Sequence, residues 1–242
     1  MLSKTRGVVL HHFKYTDNSV IACIYTENHG RQSFIIKGVR SRKSGIRISY
    51  LQPLSLLEME VYYEPKRELQ RIKEARINPS HHGISSHIIK STLALFLADV
   101  LYKTLHEEEP NHPLFSFIWH SVELLDVETK GLANFHLAFL MQYSRYLGFF
   151  PRNNYSESTP YFDLKNGLFT SSIPHHTYFT NLHESRLFNK IISLQYERLE
   201  DLSTDHETRY FLLLKIIEYF KLHTGKATNI KSLDVLKGIF ET

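Results

Sequence analysis

Between Glu27 and Glu58 the chain carries no acidic residue, yet Arg31, Lys37, Arg40, Arg42, Lys43 and Arg47 all fall there, five of them within residues 37–47. Gly38, Ser41, Ser44 and Gly45 are interleaved with them. Cations strung along a flexible loop in this way neutralise phosphate oxygens, and the counterions they release give affinity that does not depend on base sequence. Serine hydroxyls and the backbone N–H groups that glycine leaves open add donors to the same oxygens. Phe34 and Tyr50 flank the segment and are candidates for stacking on bases, although alternation with Ile36 favours an inward-facing Phe34. Two other readings of the run remain: a solvated charged face, and a loop that recognises an acidic protein tail rather than nucleic acid.

Other chemistry finds little support. Gly38, Gly45 and Gly83 are isolated, and Lys43-Ser44 follows Ser41-Arg42 rather than a glycine run, so no phosphate-cradling nucleotide loop is present. Cys23, between Ala22 and Ile24, reads as a buried small hydrophobe. The histidine pairs 11–12, 81–82 and 175–176 are adjacent, and neighbours on a strand point to opposite faces, so they do not supply a zinc triad. Glu107, Glu108 and Glu109 read as a solvated helix end, and Trp119 with the Phe-rich faces as packing. No catalytic residue, metal ligand or cofactor is assigned, and the expectation is a protein that is not an enzyme.

The elements that must hold the basic segment change character near residue 80. Up to Ile77, apolar residues alternate in short runs broken by Asp17-Asn18, Asn28-His29-Gly30 and Glu64-Pro65-Lys66-Arg67. That is the pattern of five strands in about 75 residues, which suits a small closed barrel of the oligonucleotide/oligosaccharide-binding (OB-fold) type. Beyond Asn78-Pro79-Ser80 the period becomes helical, with helices expected at 84–106, from Pro113 to about 125, and at 132–147, 182–199, 206–223 and 232–240. Tyr161–Leu164 and Leu168–Ser171 flank Lys165-Asn166-Gly167 as a hairpin within an irregular stretch from Arg152 to Asn181. The expected class is α+β: an OB-fold barrel over 1–80, then a helical bundle over 81–242 with a small zinc-less hairpin insertion at 152–181.

Composition agrees with this division of labour. The 242 residues carry a net charge of +4 at pH 7, but residues 1–80 hold 14 Lys and Arg against 7 Asp and Glu, while residues 81–242 hold 15 against 18. A basic first third points to nucleic acid on that side and something else on the other. In the second part, Arg145, Lys190 and Arg198 are candidates to line a pocket for an acidic tail. At 13% aromatic residues the chain is not a disordered one, and no apolar run approaches the length of a membrane span. The first residues lack a signal-peptide pattern and there is a single cysteine, so a cytoplasmic location is expected.

Four blocks of the first part carry a family resemblance: Thr5-Arg6-Gly7-Val8-Val9-Leu10, Tyr25-Thr26-Glu27-Asn28-His29-Gly30-Arg31, Lys37-Gly38-Val39-Arg40 with Lys43-Ser44, and Leu51-Gln52-Pro53-Leu54 with Leu56-Leu57-Glu58. In order and spacing they resemble the N-terminal domain of the RecO family of bacterial DNA repair proteins. Leu147-Gly148-Phe149 with Pro151, and Lys231 to Leu236, extend the likeness over nearly the whole chain. The resemblance implies a recombination mediator without turnover. Such a protein binds single- and double-stranded DNA, anneals complementary strands, engages RecR and the single-stranded DNA-binding protein, and through them helps to load RecA. It also exposes a departure. Many members carry a four-cysteine zinc module after the Leu-Gly-x-x-Pro segment, whereas residues 152–181 contain no cysteine, and Asn154, Glu157, His175 and His176 are not a ligand set of that type. A zinc role is not carried over.

Overall fold

The computed structural model describes residues 1–38, 46–78, 83–225 and 229–240. Five strands, β1 (Leu2–Thr16), β2 (Ser19–Thr26), β3 (Gly30–Lys37), β4 (Leu56–Tyr62) and β5 (Leu69–Ile77), form a closed barrel in the order β1-β2-β3-β5-β4. Only the β3–β5 pairing is parallel. Alternation along each strand sends Val9, Val20, Ala22, Ile24, Phe34, Ile36, Leu57, Met59, Val61 and Ala75 into the barrel. Closure leaves the interior narrow: a β-carbon on Gly7 would lie 2.5 Å from the Met59 methyl carbon and 2.7 Å from Cγ2 of Ile24. Between β3 and β4 the described residues include a 3₁₀ turn at Ile48–Leu51, in which Leu51 is buried.

Helices α1 (Gly83–Ser86), α2 (Ile88–Thr104) and α3 (His112–Val127) follow. The single helix expected at 84–106 is broken at His87, whose backbone is extended. The break has a tertiary cause, since Asp126 at the end of α3 accepts the Ile84 N–H at 2.7 Å and the Lys90 ammonium binds the Asp126 carbonyl. Next come α4 (Leu132–Tyr146), the hairpin β6 (Tyr161–Asp163) and β7 (Leu168–Thr170), α5 (Leu182–Ile192), α6 (His206–Thr224) and α7 (Leu233–Phe240). The helix expected at 182–199 stops at Ile192 and resumes as a 3₁₀ turn at Tyr196–Asp201. There the Asn134 side-chain amide holds the carbonyls of Leu199 and Leu202, each at 2.8 Å. Local chemistry sets the other ends: Asn181 and Glu184 form a capping box on α5, Asp205 caps α6, and Gly225 closes α6 in the left-handed region.

The chain packs as two compact units, residues 1–127 with 230–233, and residues 128–229 with 234–242. Helices α2 and α3 therefore belong to the barrel's unit, although composition changes character at residue 80. No helix among the described residues is long and apolar enough to cross a membrane.

Candidate nucleic-acid interface

The basic segment begins at Lys37, the last residue of β3, and ends at Arg47, just before the 3₁₀ turn. At its start the Gly38 N–H donates to the Asn18 carbonyl at 2.7 Å, which ties it to the β1–β2 turn. At its end Ile46 is buried against the barrel core. Lys37 and Arg47, just inside these anchors, are both exposed. Arg40, Arg42 and Lys43 lie outside the described residues.

Ladder register shows what surrounds Lys37. Ser19 pairs with Lys37, and Ile35, two residues back on the same face, pairs with Ile21 on one side and Arg71 on the other. Lys37, Arg71 and Lys73 line a depression of about 310 Å³ whose apolar lining is Ile35, Ile36, Ile46 and Ile72. Lys73 is paired with Glu60 at 2.8 Å, whereas Lys37, Arg47 and Arg71 make no ion pair with any described residue. Arg71 escapes the sequence reading because it lies 24 residues after Arg47. Only the parallel β3–β5 pairing brings it beside the basic segment. The period-two run Leu69, Arg71, Lys73 is the signal that could have found it.

Arg31 stands apart from the other five cations. Its Nη1 donates to the carbonyls of Tyr102 and Leu105, at 2.9 and 2.6 Å, and its Nε to the Cys23 sulfur at 3.1 Å. The guanidinium lies 4.7 Å from the centre of the Tyr102 ring. It satisfies carbonyls left open at the end of α2, so its guanidinium is engaged at the joint between barrel and helix. Phe34 is fully buried in the barrel and cannot stack on a base, and Tyr50 is half-buried against the same core. Cys23 is buried beside Arg31, and burial pushes its thiol pKa up, the opposite of what a nucleophile needs.

Comparison with known proteins gives this geometry its context. The N-terminal family model of Recombination protein O matches residues 1–80, and the C-terminal model matches residues 85–234. The chain belongs to the RecO family. It is 39% identical over 240 residues to the DNA repair protein RecO of Phocaeicola vulgatus, which covers 99% of this chain and all of that protein. It is 40% identical over 242 residues to that of Bacteroides fragilis, with both chains covered completely. The RecO of Flavobacterium psychrophilum is 36% identical over 243 residues, covering 99% of this chain and all of its own.

Residues 152–181, which contain no cysteine, are held together by other groups. The sole cysteine is in the barrel, and among the described residues no group of three or more His, Cys, Asp or Glu side chains is placed to hold a metal. His175 and His176 lie in a bend rather than on the strand that adjacency suggested. His176 approaches the Asp163 carboxylate at 3.4 Å, and that buried carboxylate also accepts from the Lys165 and Asn166 N–H groups and the Asn166 amide at 2.7–3.0 Å. One carboxylate with backbone donors and a single histidine does not fit a tetrahedral zinc site. Of the cations considered for an acidic tail, Arg198 is paired with Asp201 and Arg145 lies 4.0 Å from the centre of the Phe150 ring.

Proposed function

We propose that this protein is a DNA-binding mediator of recombination and repair. It binds single- and double-stranded DNA through the segment from Lys37 to Arg47 together with Arg71. It promotes annealing of complementary strands and, with RecR and the single-stranded DNA-binding protein, loading of RecA. It acts in the cytoplasm by binding, without a catalytic step. The observation that carries the reading is the anchoring of both ends of an acid-free basic segment to one side of a closed barrel, with Lys37, Arg47 and Arg71 exposed and unpaired among the described residues. Cations held this way cost no ion pair to recruit, so each phosphate contact contributes in full. Membership of a family whose relatives are named DNA repair proteins supports the biological setting.

Titration of a fluorescent oligonucleotide at several salt concentrations tests it. The logarithm of affinity should fall linearly with the logarithm of salt, by about 0.7–0.9 for each phosphate contact. Reversing Arg40, Arg42 and Lys43 to Glu should weaken binding and flatten that slope without unfolding the protein. Absence of binding at any salt would overturn the reading and favour a loop that recognises an acidic protein tail.

A further inference from the structure

The hairpin joining β1 and β2 carries two large aromatic side chains that no core uses. Phe13 is 45% exposed and Tyr15 is 55% exposed. They stand two residues apart on β1, about 7 Å along it, with Phe13 on the outer face and Tyr15 next to it at a register shift of the ladder. His11, the preceding residue of that face, is 4.7 Å from the Tyr102 ring of α2 and 6.3 Å from the Phe13 ring. The row of rings therefore starts under the helix and emerges beyond it with Phe13 and Tyr15 uncovered. Phe13 pairs across the ladder with Ile21, which pairs with Ile35, which pairs with Arg71. The exposed rings and the unpaired cation thus lie on one continuous outer face of the barrel. The same turn holds the start of the basic segment through Asn18 and Gly38.

Resting on the DNA-binding reading above, we propose that Phe13 and Tyr15 stack on unpaired bases of a single strand whose phosphates are held by Lys37 and Arg71. Every base has a π-face, so the contact is indifferent to sequence. In a duplex those faces are covered by neighbouring base pairs, so the rings discriminate for single strands. Phe13 pairs across the ladder with Ile21, and Tyr15 sits at a register shift between Lys14 and Thr16, which pair with Val20 and Ser19, so the platform is held from both sides and little ordering opposes binding. Lys37 across from Ser19 and Arg71 across from Ile35 make the surroundings suited to a polyanion rather than to an apolar protein face.

The double variant Phe13→Ala/Tyr15→Ala tests this, because both side chains are exposed and their loss leaves the core intact. Its thermal melt is recorded alongside. Binding is measured at three salt concentrations to an oligothymidylate, to an abasic strand of equal length, and to a duplex. Affinity for the oligothymidylate should fall at least about tenfold with the salt slope unchanged, while the abasic strand and the duplex bind as tightly as to the parent protein. The Tyr15→Phe variant should bind like the parent. An unchanged affinity for oligothymidylate, or an equal loss on the duplex, would overturn the stacking proposal while leaving DNA binding in place. A parent protein that binds none of the three would overturn both.

Discussion

The Arg6 guanidinium meets the Glu27 carboxylate at two points, Nε to Oε2 at 2.9 Å and Nη2 to Oε1 at 2.7 Å. The same group lies 4.8 Å from the centre of the Trp119 ring and 5.4 Å from that of Phe115. One side chain thus links β1, the end of β2 and α3. The pairing holds the Glu27 carboxyl below its ordinary range. The fork matters as much as the charge, since a lysine cannot make two parallel hydrogen bonds while lying over a ring. Arg6→Ala should lower stability to urea by about 2 kcal/mol, and Arg6→Lys should recover less than half of that.

Gly30 opens β3 with φ +62°, and a β-carbon there would lie 2.6 Å from the carbonyl oxygen of Glu109 and 2.7 Å from that of Glu107. The Glu107 carbonyl accepts the Arg31 N–H at 2.8 Å, so these glutamates, expected as a solvated helix end, form with their backbone a loop seated on the barrel. Gly30→Ala combines left-handed strain with a clash against backbone that cannot swing aside. A loss of about 2–4 kcal/mol, read from urea unfolding, is expected.

Arg31 and Arg47 belong to one charge cluster in the sequence and to different structures in space. Arg31→Gln should lower the melting temperature, because the Tyr102 and Leu105 carbonyls lose their donor, yet leave the salt dependence of DNA binding as it was. Arg47→Gln should do the reverse, flattening the salt slope by about one contact, 0.7–0.9, with the melting temperature unchanged.

This contrast shows what the sequence makes legible. Alternation reveals the strands, and the missing acids between Glu27 and Glu58 reveal the basic segment, because both are local properties. Whether one arginine of that segment faces solvent or a helix end depends on α2, about 70 residues away, and no local pattern encodes it. The same holds for Arg71, which joins the interface through strand pairing. Distant side chains also shape the two helices that the pattern overextends: Asp126 binds on either side of the break at His87, and Asn134 holds the 3₁₀ turn that follows the end of α5. Phe13 and Tyr15 fit the alternation of a strand, but only the path of α2 shows that they stand clear of it.

Asp163 is 3% exposed and gathers the β6–β7 turn around one carboxylate. Asp163→Ala leaves two backbone N–H groups without their acceptor and should lower stability by about 2–3 kcal/mol. Treatment of the unmodified protein with a chelator should leave its melting temperature unchanged, and elemental analysis should find well under one zinc per chain.

His136 on α4 is 1% exposed. Burial, with a smaller contribution from the Arg209 charge, pushes its pKa down to about 3 from an ordinary 6.5. In the unfolded chain the imidazole takes up a proton as pH drops through 6.5, while in the folded chain it stays neutral. Protons therefore favour the unfolded state throughout this window. The stability associated with neutral His136 is complete above pH 6.5 and is lost at up to about 1.4 kcal/mol per pH unit as pH falls toward 3. His11 and His29, also lowered by burial, act in the same direction, so the slope of the parent protein alone does not isolate one histidine. Subtracting the profile of His136→Gln does. Glu27 and Asp205, whose pKa values are lowered below 4.5 and 3.8, add their own acid sensitivity chiefly below pH 5. Between pH 6.5 and 5 the parent should therefore lose about 2 kcal/mol more than the variant in urea unfolding. Parallel profiles across that interval would show that His136 is protonated in the folded protein.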